Sequence, residues 1–155
     1  MVIEQGHDRA VIVVRRAADE PTVQLATGYQ FTWLAGEAET RDAFSLQEWT
    51  APPGLRWVQR HRHRRNDEGF YLLDGDLDFE VEGHRFTAIP GTWVLIPRGT
   101  VHTWRNSGQT PTRLLHFFAP GDFGRFFESA RTAAIKAQYG LEEVGERPDD
   151  GAAPD

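Results

Sequence analysis

Closely spaced turn signals dominate the middle of this chain. Between residues 28 and 120, pairs such as Asp74-Gly75, Glu82-Gly83 and Pro90-Gly91 break the sequence, typically every ~8–12 residues. That spacing leaves room for short strands but not for long helices. The pattern is typical of a sandwich or barrel, and it predicts an all-β domain.

One segment between two of these turns shows a clear period of two. In Asp76–Glu82 three apolar side chains alternate with four carboxylates, which places the apolar set on one face of a strand. Glu82-Gly83 then predicts a tight reversal, and His84–Ala88 predicts the returning strand.

The two ends of the chain differ from this middle part. We expect N-terminal strands over residues 1–27, a barrel core over 28–120 and a C-terminal helix over 122–139, together forming one domain. The helix prediction rests on Phe and Ala at three- and four-residue steps, with Asp122 as N-cap and Gly140 past the end. This apolar stripe either packs on the barrel, the interpretation we favour, or binds a partner. Residues 140–155 have almost no large apolar side chains, so we predict a disordered acidic tail.

The composition excludes several classes of protein. The 155 residues suit a single domain, and the net charge of −6 argues against a nucleic-acid or anionic-membrane partner. The longest early apolar run, Val11–Val14, is too short for a signal sequence or a membrane span, so we expect a cytoplasmic protein. Because there are no cysteines, any metal must be held by His, Asp or Glu.

Such side chains occur in two short segments. His61 and His63 are two residues apart in an expected strand, so both imidazoles point to the same face. Glu68 opens the next strand, and His102 lies on a later strand after the turn Pro97-Arg98-Gly99. A set of imidazoles and one carboxylate suits Fe, Mn, Ni, Co, Cu or Zn.

These segments resemble the two sequence motifs of the cupin superfamily, and the resemblance covers roughly residues 28–120. The first motif is matched by Gly54, His61, His63, Glu68 and Gly75, with Gly54 one residue further upstream than usual. The second is matched at every fixed position by Gly91, Pro97, Gly99, His102 and Asn106. A chance match to the second motif has a probability on the order of 10⁻⁵ to 10⁻⁴. The run Glu68–Gly75 and the Phe-rich helix look most like the single-domain, quercetinase-like cupins of the conserved cupin 2 barrel type.

The resemblance implies a cupin-type double-stranded β-helix, or jelly-roll barrel. It also implies one divalent transition metal held by His61, His63, Glu68 and His102. A degenerate cupin with a metal-free polar pocket is the alternative. Family members commonly pair sheet to sheet. The apolar content of Val11–Val14 and Tyr29–Leu34 therefore leads us to expect a homodimer.

Alternation along the strands also predicts the wall of the pocket. Side chains on the same faces as the expected ligands form an aromatic, mostly apolar set, in which we expect contacts with a small-molecule substrate. The predicted contacts are Trp57, Gln59, Phe70, Leu72, Phe79 and Trp104. This lining favours a flat or hydrophobic ligand over a sugar phosphate.

Three functions are compatible with these features. The first is a metal-dependent oxygenase, dioxygenase-like, that acts on an aromatic or enolisable molecule. The second is a non-oxidative cyclase, isomerase or lyase that uses the metal as a Lewis acid, and the third is a non-catalytic binding protein. In either enzyme Glu68 is the candidate general base.

The remaining histidines and a row of arginines carry weaker signals. His7, His84 and His116 match no ligand spacing, so we expect each to be a surface or packed histidine. The row of Arg56, Arg60, Arg62 and Arg64 lies opposite the histidine pair. Pairing with the acidic face of Asp76–Glu82 is favoured over a nucleic-acid patch.

Overall fold

The computed structural model describes residues 2–5 and 10–150, with side chains from residue 12 onward. Within these ranges the chain is mainly made of short strands. They are β1 (Val2–Gln5), β2 (Ala10–Val13), β3 (Thr22–Gln24), β4 (Gln30–Ala35), β5 (Ser45–Ala51), β6 (His61–His63), β7 (Asp67–Asp74), β8 (Leu77–Val81), β9 (His84–Ala88), β10 (Trp93–Ile96), β11 (His102–Arg105), β12 (Thr112–Ala119) and β13 (Leu141–Glu143).

The helices are few and short. They are the 3₁₀ helices Ala17–Asp19 and Gly121–Glu128 and the α-helices α1 (Glu37–Thr40) and α2 (Ala133–Tyr139). No helix in the described part of the chain has the length and apolar character needed to cross a bilayer.

Two antiparallel sheets form the barrel, and β1 pairs with β2 in a separate ribbon. One sheet has six strands in the order β10-β7-β12-β5-β4-β3, and the other has five in the order β13-β6-β11-β8-β9. Sequence neighbours such as β7 and β8 lie in different sheets, which is the crossing pattern of a jelly roll. The all-β fold expected from the turn spacing is confirmed.

Strand alternation explains where the core lies. Every second side chain of β5 is buried, and β12 follows the same pattern, so each strand presents one face to the space between the sheets. The predicted hairpin is present: β8 pairs with β9 from Leu77–Ala88 to Val81–His84. Glu82 and Gly83 both have positive φ in the connecting turn, as a two-residue hairpin requires.

The C-terminal helix differs from the prediction of one helix over 122–139. Residues 129–132 separate the 3₁₀ helix from α2, because Arg131 takes a left-handed conformation with φ 52°, which α-helical geometry does not allow. Asp122 lies inside the 3₁₀ helix, and Thr132 is the N-cap of α2. Gly140 follows α2 at φ 71°, as predicted. Phe123 and Phe126 are buried, so the apolar stripe packs on the barrel.

The prediction of a disordered tail from residue 140 is wrong for residues 141–150. β13 pairs with β6, and beyond it the Val144 amide donates to the Arg60 carbonyl at 2.8 Å. The Asp150 carboxylate accepts from Arg56 at 2.6 Å. Backbone pairing and ion pairs hold this segment, and neither depends on the large apolar side chains whose scarcity led to the prediction. Residues 151–155 lie outside the described part.

The arginine row on the outside of β6 is paired, not free. Arg60 contacts Glu80 of the acidic strand at 2.6 Å, as predicted. Arg62 and Arg64 contact Glu142 of the C-terminal segment instead, at 2.5 and 2.9 Å. The row therefore holds the C-terminal segment against the five-stranded sheet. Because all four arginines are paired with carboxylates, they do not form a free basic patch for a nucleic acid.

Candidate metal centre

Three strands bring the four predicted ligands to one place inside the barrel. His61 and His63 are the two inward residues of β6, and Arg62 between them points outward. His102 begins β11 and lies directly opposite His61 in the antiparallel register. Glu68 comes from β7 in the facing sheet, and all four residues are buried.

The four side chains converge on a single point. One ligand atom from each lies within 4.8 Å of the others, close to the ~3–4 Å spacing of donors around one ion with bonds of about 2.1 Å. Glu68 Oε2 is 2.6 Å from His102 Nε2 and 3.0 Å from His63 Nε2. Glu68 Oε2 and His63 Nε2 are close enough for an ion pair, but their angles do not make a hydrogen bond. Both His63 nitrogens therefore lack a hydrogen-bond partner in the described part.

Two of the imidazoles are oriented by the backbone. His61 Nδ1 lies 2.8 Å from the Gln59 carbonyl, and His102 Nδ1 lies 3.0 Å from the Thr100 carbonyl. A carbonyl only accepts, so each Nδ1 carries the proton and each Nε2 is directed to the cluster. This is the tautomer that a metal-binding imidazole needs.

Burial and mutual attraction set the charges of the cluster. Burial lowers the pKa of His61 to about 3, with His102 and His63 contributing, so that imidazole is neutral. Burial opposes the charge of Glu68, but His63 and His102 outweigh it and hold the pKa of this carboxyl well below its usual value. Burial also opposes the charge of His102, yet Glu68 raises the pKa of that imidazole. An ionised carboxylate thus attracts a positive charge at this point.

The fifth member of the cluster is a residue that spacing did not identify. His116 on β12 is 1% exposed, and its Nε2 donates to Glu68 Oε1 at 2.6 Å. Burial lowers the pKa of His116 against the opposing effect of Glu68, so the ring is a neutral donor. The alternation of Leu114, His116 and Phe118 along β12 contained the signal that His116 points inward. The expectation of a packed histidine holds, but the packing is against a predicted ligand.

The cluster opens onto a cavity of about 470 Å³, within the usual range for small-molecule sites. Trp57, Gln59 and Trp104 of the predicted wall line it. The other three predicted wall residues lie in the hydrophobic core, where they are fully buried: Phe70, Leu72 and Phe79. Contact of any of the six with a substrate stays a prediction.

Residues that sequence reasoning missed complete this wall. Phe123, Phe126 and Phe127 come from the 3₁₀ helix, and Leu141 and Glu143 come from β13. The 3₁₀ helix and the C-terminal edge strand therefore form part of the cavity wall.

Unpartnered buried polar atoms concentrate at this cavity. Within residues 12–150, seven buried side-chain nitrogen or oxygen atoms have no hydrogen-bond partner. Five of them belong to four residues that line the cavity, namely Tyr29, Trp57, His63 and His116. Since such atoms are costly unless a partner satisfies them, their clustering indicates a site that receives a polar or metallic ligand.

The residues present fit a divalent transition metal. His102 Nδ1 already donates to a carbonyl, so the Nε2 that faces Glu68 Oε2 at 2.6 Å needs either a second proton or a bound cation. His63 Nε2, which faces the same oxygen at 3.0 Å without a hydrogen bond, needs the same. One ion bound by His61, His63, Glu68 and His102 would meet both needs, and this donor set suits Fe, Mn, Co, Ni, Cu or Zn.

Comparison with known proteins agrees with this geometry. The cupin domain family matches residues 47–118. Quercetin 2,3-dioxygenase from Bacillus subtilis is 30% identical over 107 residues, which are 68% of this chain and 31% of that protein. The chain belongs to the cupin superfamily. This cupin spans between 28% and 53% of the length of three curated relatives that it matches.

Solved cupin structures show the same fold. The cupin domain of Cnp3 from Schizosaccharomyces pombe superimposes with a TM-score of 0.62 at 18% identity, over 81% of this chain and 90% of that one. The polyketide cyclase RemF from Streptomyces resistomycificus gives a TM-score of 0.60 at 20% identity, over 70% of this chain and 79% of that one. At these identities the likeness establishes the barrel and not the reaction.

Proposed function

We propose that this cupin is a metal-dependent, dioxygenase-like enzyme that acts on a small aromatic or enolisable molecule. One observation carries the proposal: four buried donors converge at the end of an aromatic cavity large enough for such a molecule. His61, His63, Glu68 and His102 would hold the ion. A bound redox-active metal would supply Lewis acidity and electron transfer to dioxygen, with positions left open by four protein ligands.

The chain's own residues would hold the reacting groups and exclude water. His116 fixes one oxygen of Glu68, which leaves the other oxygen directed at the histidines. The rings of Phe123 and Phe118 pack on His63 at 4.2 and 5.5 Å between centroids, which restricts that imidazole. These contacts favour a rigid ligand set over a mobile one, in agreement with a preorganised reaction centre.

Glu68 is also the proposed general base, and its present hydrogen bonds determine what that role would require. Both of its oxygens already accept short hydrogen bonds, from His102 and His116. To take a proton from a substrate, Glu68 would therefore have to give up one of these contacts. The bond to His116 is the one that metal binding leaves intact, so we expect Glu68 Oε2 to be the atom that exchanges partners.

Elemental analysis and oxygen uptake test the proposal together. The protein, purified without added metal, should contain about one transition-metal ion per chain. It should consume oxygen when a small aromatic or enolisable compound is added. Loss of both in His102→Ala, with oxygen uptake retained in His84→Gln, would support the proposal. Turnover that persists unchanged in Glu68→Ala or His102→Ala would refute it.

A non-oxidative cyclase, isomerase or lyase is the second candidate. It is favoured by a neutral His116 beside the carboxylate, an arrangement suited to proton transfer. Product formation without oxygen would select it. Metal and ligand binding without turnover in either assay would leave the third candidate, a non-catalytic binding cupin.

We also propose a cytoplasmic homodimer. Tyr29 and Phe31, two of the side chains that led to this expectation, lie in the chain's own core. The outer face of β7 and β10 instead exposes Tyr71, Trp93 and Leu95, an apolar surface of the kind that pairs in assemblies. Light scattering at micromolar concentration should give twice the chain mass, and a monomer mass would contradict the proposal.

A further inference from the structure

One wall of the cavity carries a cation without a counter-ion. Arg131 lies between the 3₁₀ helix and α2 and lines the same cavity as His61, His63 and Glu68. It is partly buried. No carboxylate within residues 12–150 forms an ion pair with it. Its guanidinium donates a 3.5 Å hydrogen bond to the Phe127 carbonyl.

The neighbouring cations of the cavity are different. Arg56 is paired with Asp150 at 2.6 Å, and Lys136 is paired with Glu143. Arg147 also lines the cavity but is exposed to solvent, where water compensates its charge. Of these four cavity cations, Arg131 is therefore the one that is both partly removed from water and without an anion among residues 12–150.

The surroundings of Arg131 increase the demand for an anion. The guanidinium carbon lies 5.8 Å from the ring centroids of both Phe126 and Phe127, an apolar setting that only partly replaces hydration. Burial lowers the pKa of Arg131, in agreement with this lost solvation. The residue also keeps φ at 52°, a conformation that glycine takes more readily. Strain of this kind concentrates where a side chain has a functional role.

The position of Arg131 suits one end of a bound molecule. Phe127, whose ring contacts the guanidinium, lies 5.7 Å from the His116 ring between centroids, and His116 contacts Glu68. Two ring contacts thus separate the cation from the metal cluster. We propose that Arg131 binds the carboxylate of the substrate, so that the cavity takes a small aromatic or enolisable acid. This inference rests on the proposed function, whose substrate class it narrows.

Binding of a matched acid and amide tests the proposal without turnover. The probes are 2-naphthoate and 2-naphthamide, which share their ring system and differ in charge. Titration calorimetry is done on the full chain after chelation of metal, so that no metal ion attracts the acid. Naphthoate should bind the unsubstituted protein more tightly than naphthamide. Arg131→Gln should lower naphthoate affinity roughly 10- to 100-fold, the effect of losing a charge-assisted bond.

Further measurements on Arg131→Gln and two further variants separate a binding role from a structural one. Arg131→Gln should leave naphthamide affinity unchanged and should not lower Tm, since it removes an uncompensated charge. Arg131→Lys, which keeps the charge without the planar fork, should recover part of the naphthoate affinity. Arg125→Gln is the matched control, because Arg125 is on the 3₁₀ helix that precedes Arg131 and pairs with Glu37 at 2.5 Å outside the cavity. It should change neither affinity.

Several outcomes would overturn the assignment. They are equal binding of the two probes, no binding of either at millimolar concentration, and an equal loss for both probes in Arg131→Gln. A naphthoate-specific loss in Arg147→Gln, with none in Arg131→Gln, would place the anion elsewhere. The proposed function can fail separately from this inference. If the protein prefers naphthoate but consumes no oxygen with any acid, the role of Arg131 stands and the oxygenase is refuted. If oxygen is consumed with neutral compounds only, the oxygenase stands and the role of Arg131 is refuted.

Discussion

Two buried carboxylates, Glu68 and Glu80, have nearly the same geometry and different chemistry. Glu68 points into the barrel and is 2% exposed, and Glu80 lies on the outer face of the other sheet and is 5% exposed. Each carboxylate accepts two short hydrogen bonds, from two side chains that belong to other strands or segments. The donors are His102 and His116 at 2.6 Å for Glu68, and Arg60 and Arg85 at 2.6 and 2.8 Å for Glu80.

The two clusters differ in whether the partners of the carboxylate can lose a proton. A guanidinium keeps its proton at all ordinary pH values, so the arginines around Glu80 stay charged and cannot become metal ligands. An imidazole can lose its proton and present a lone pair instead, so the histidines around Glu68 can become ligands. Equal burial and equal distances therefore do not imply equal function. The inner cluster is suited to exchanging a proton for a metal ion, and the outer cluster to joining strands.

The largest effect that distinguishes the two is on metal binding. Glu68→Gln keeps the shape of the side chain but removes a charged ligand, so we expect zinc affinity to fall on the order of 100-fold or more. Competition with a chromophoric chelator measures this. Glu80→Gln is the matched control and should bind about one zinc ion per chain with unchanged affinity. If both variants bound zinc alike, the contrast between the inner and outer clusters would be wrong.

The inner ligand set was accessible from the sequence because it depends on local features. His61 and His63 share a face by strand parity, Glu68 and His102 lie at the starts of β7 and β11, and the resemblance to the two cupin motifs joins the four into one set. The contact between His116 and Glu68 joins residues 48 positions apart. The alternation along β12 carries the signal that His116 points inward, but no spacing rule states which residue of a neighbouring strand it meets.

The outer cluster and the C-terminal segment were harder to predict for another reason. Alternation in Asp76–Glu82 was predicted correctly, yet Asp78 and Glu80 are buried on the face expected to be polar. Arginines from other strands and residues 141–150 cover that face. Composition treats a segment poor in apolar residues as disordered, and it does not register an edge strand held by backbone hydrogen bonds and ion pairs. The break in the helix at Arg131 likewise follows from tertiary packing.

Glu80 should matter for stability and for its dependence on pH. Glu80→Gln should lower the free energy of unfolding by about 2 kcal/mol at pH 7, since it leaves two arginines without their carboxylate but partly exposed to water. Burial opposes the charge of Glu80, but Arg60 and Arg85 outweigh it and hold its folded-state pKa below the ordinary value. The stabilisation is therefore complete above the unfolded pKa of about 4.3 and is lost as pH falls through the folded pKa.

Urea unfolding of Glu80→Gln and the unsubstituted protein at pH 7, 5 and 3.5 measures this difference. It should be nearly the same at the two higher values and should shrink at the lowest. Other carboxyls, Glu68 included, titrate in both proteins and cancel in the comparison. A difference that stayed constant down to pH 3.5 would show that packing, and not charge, accounts for the contribution of Glu80.

His116 should have a smaller effect, through Glu68 alone. His116→Leu fills much of the ring's space among Phe70 and Phe118 but removes the donor to Glu68 Oε1, so zinc affinity should fall about tenfold. His116→Gln retains an amide donor and should lose less. The exposed His84 gives the control, because His84→Gln should leave zinc affinity unchanged. Equal zinc affinity in His116→Leu and the unsubstituted protein would mean that the histidine only fills space.

The smallest effect should come from Glu142. Like Glu80 it is paired with two arginines, but unlike Glu80 it is not buried. It accepts from Arg62 and Arg64 on the outer side of β6, and its side chain is 36% exposed. Solvent and salt screen such a pair, so Glu142→Gln should leave both Tm and zinc affinity unchanged within error. A clear drop in zinc affinity would mean that ion pairs on the outer face of β6 control His61 and His63 on its inner face. The two clusters would then be coupled through one strand, and the separation of a binding cluster from a structural one would no longer hold.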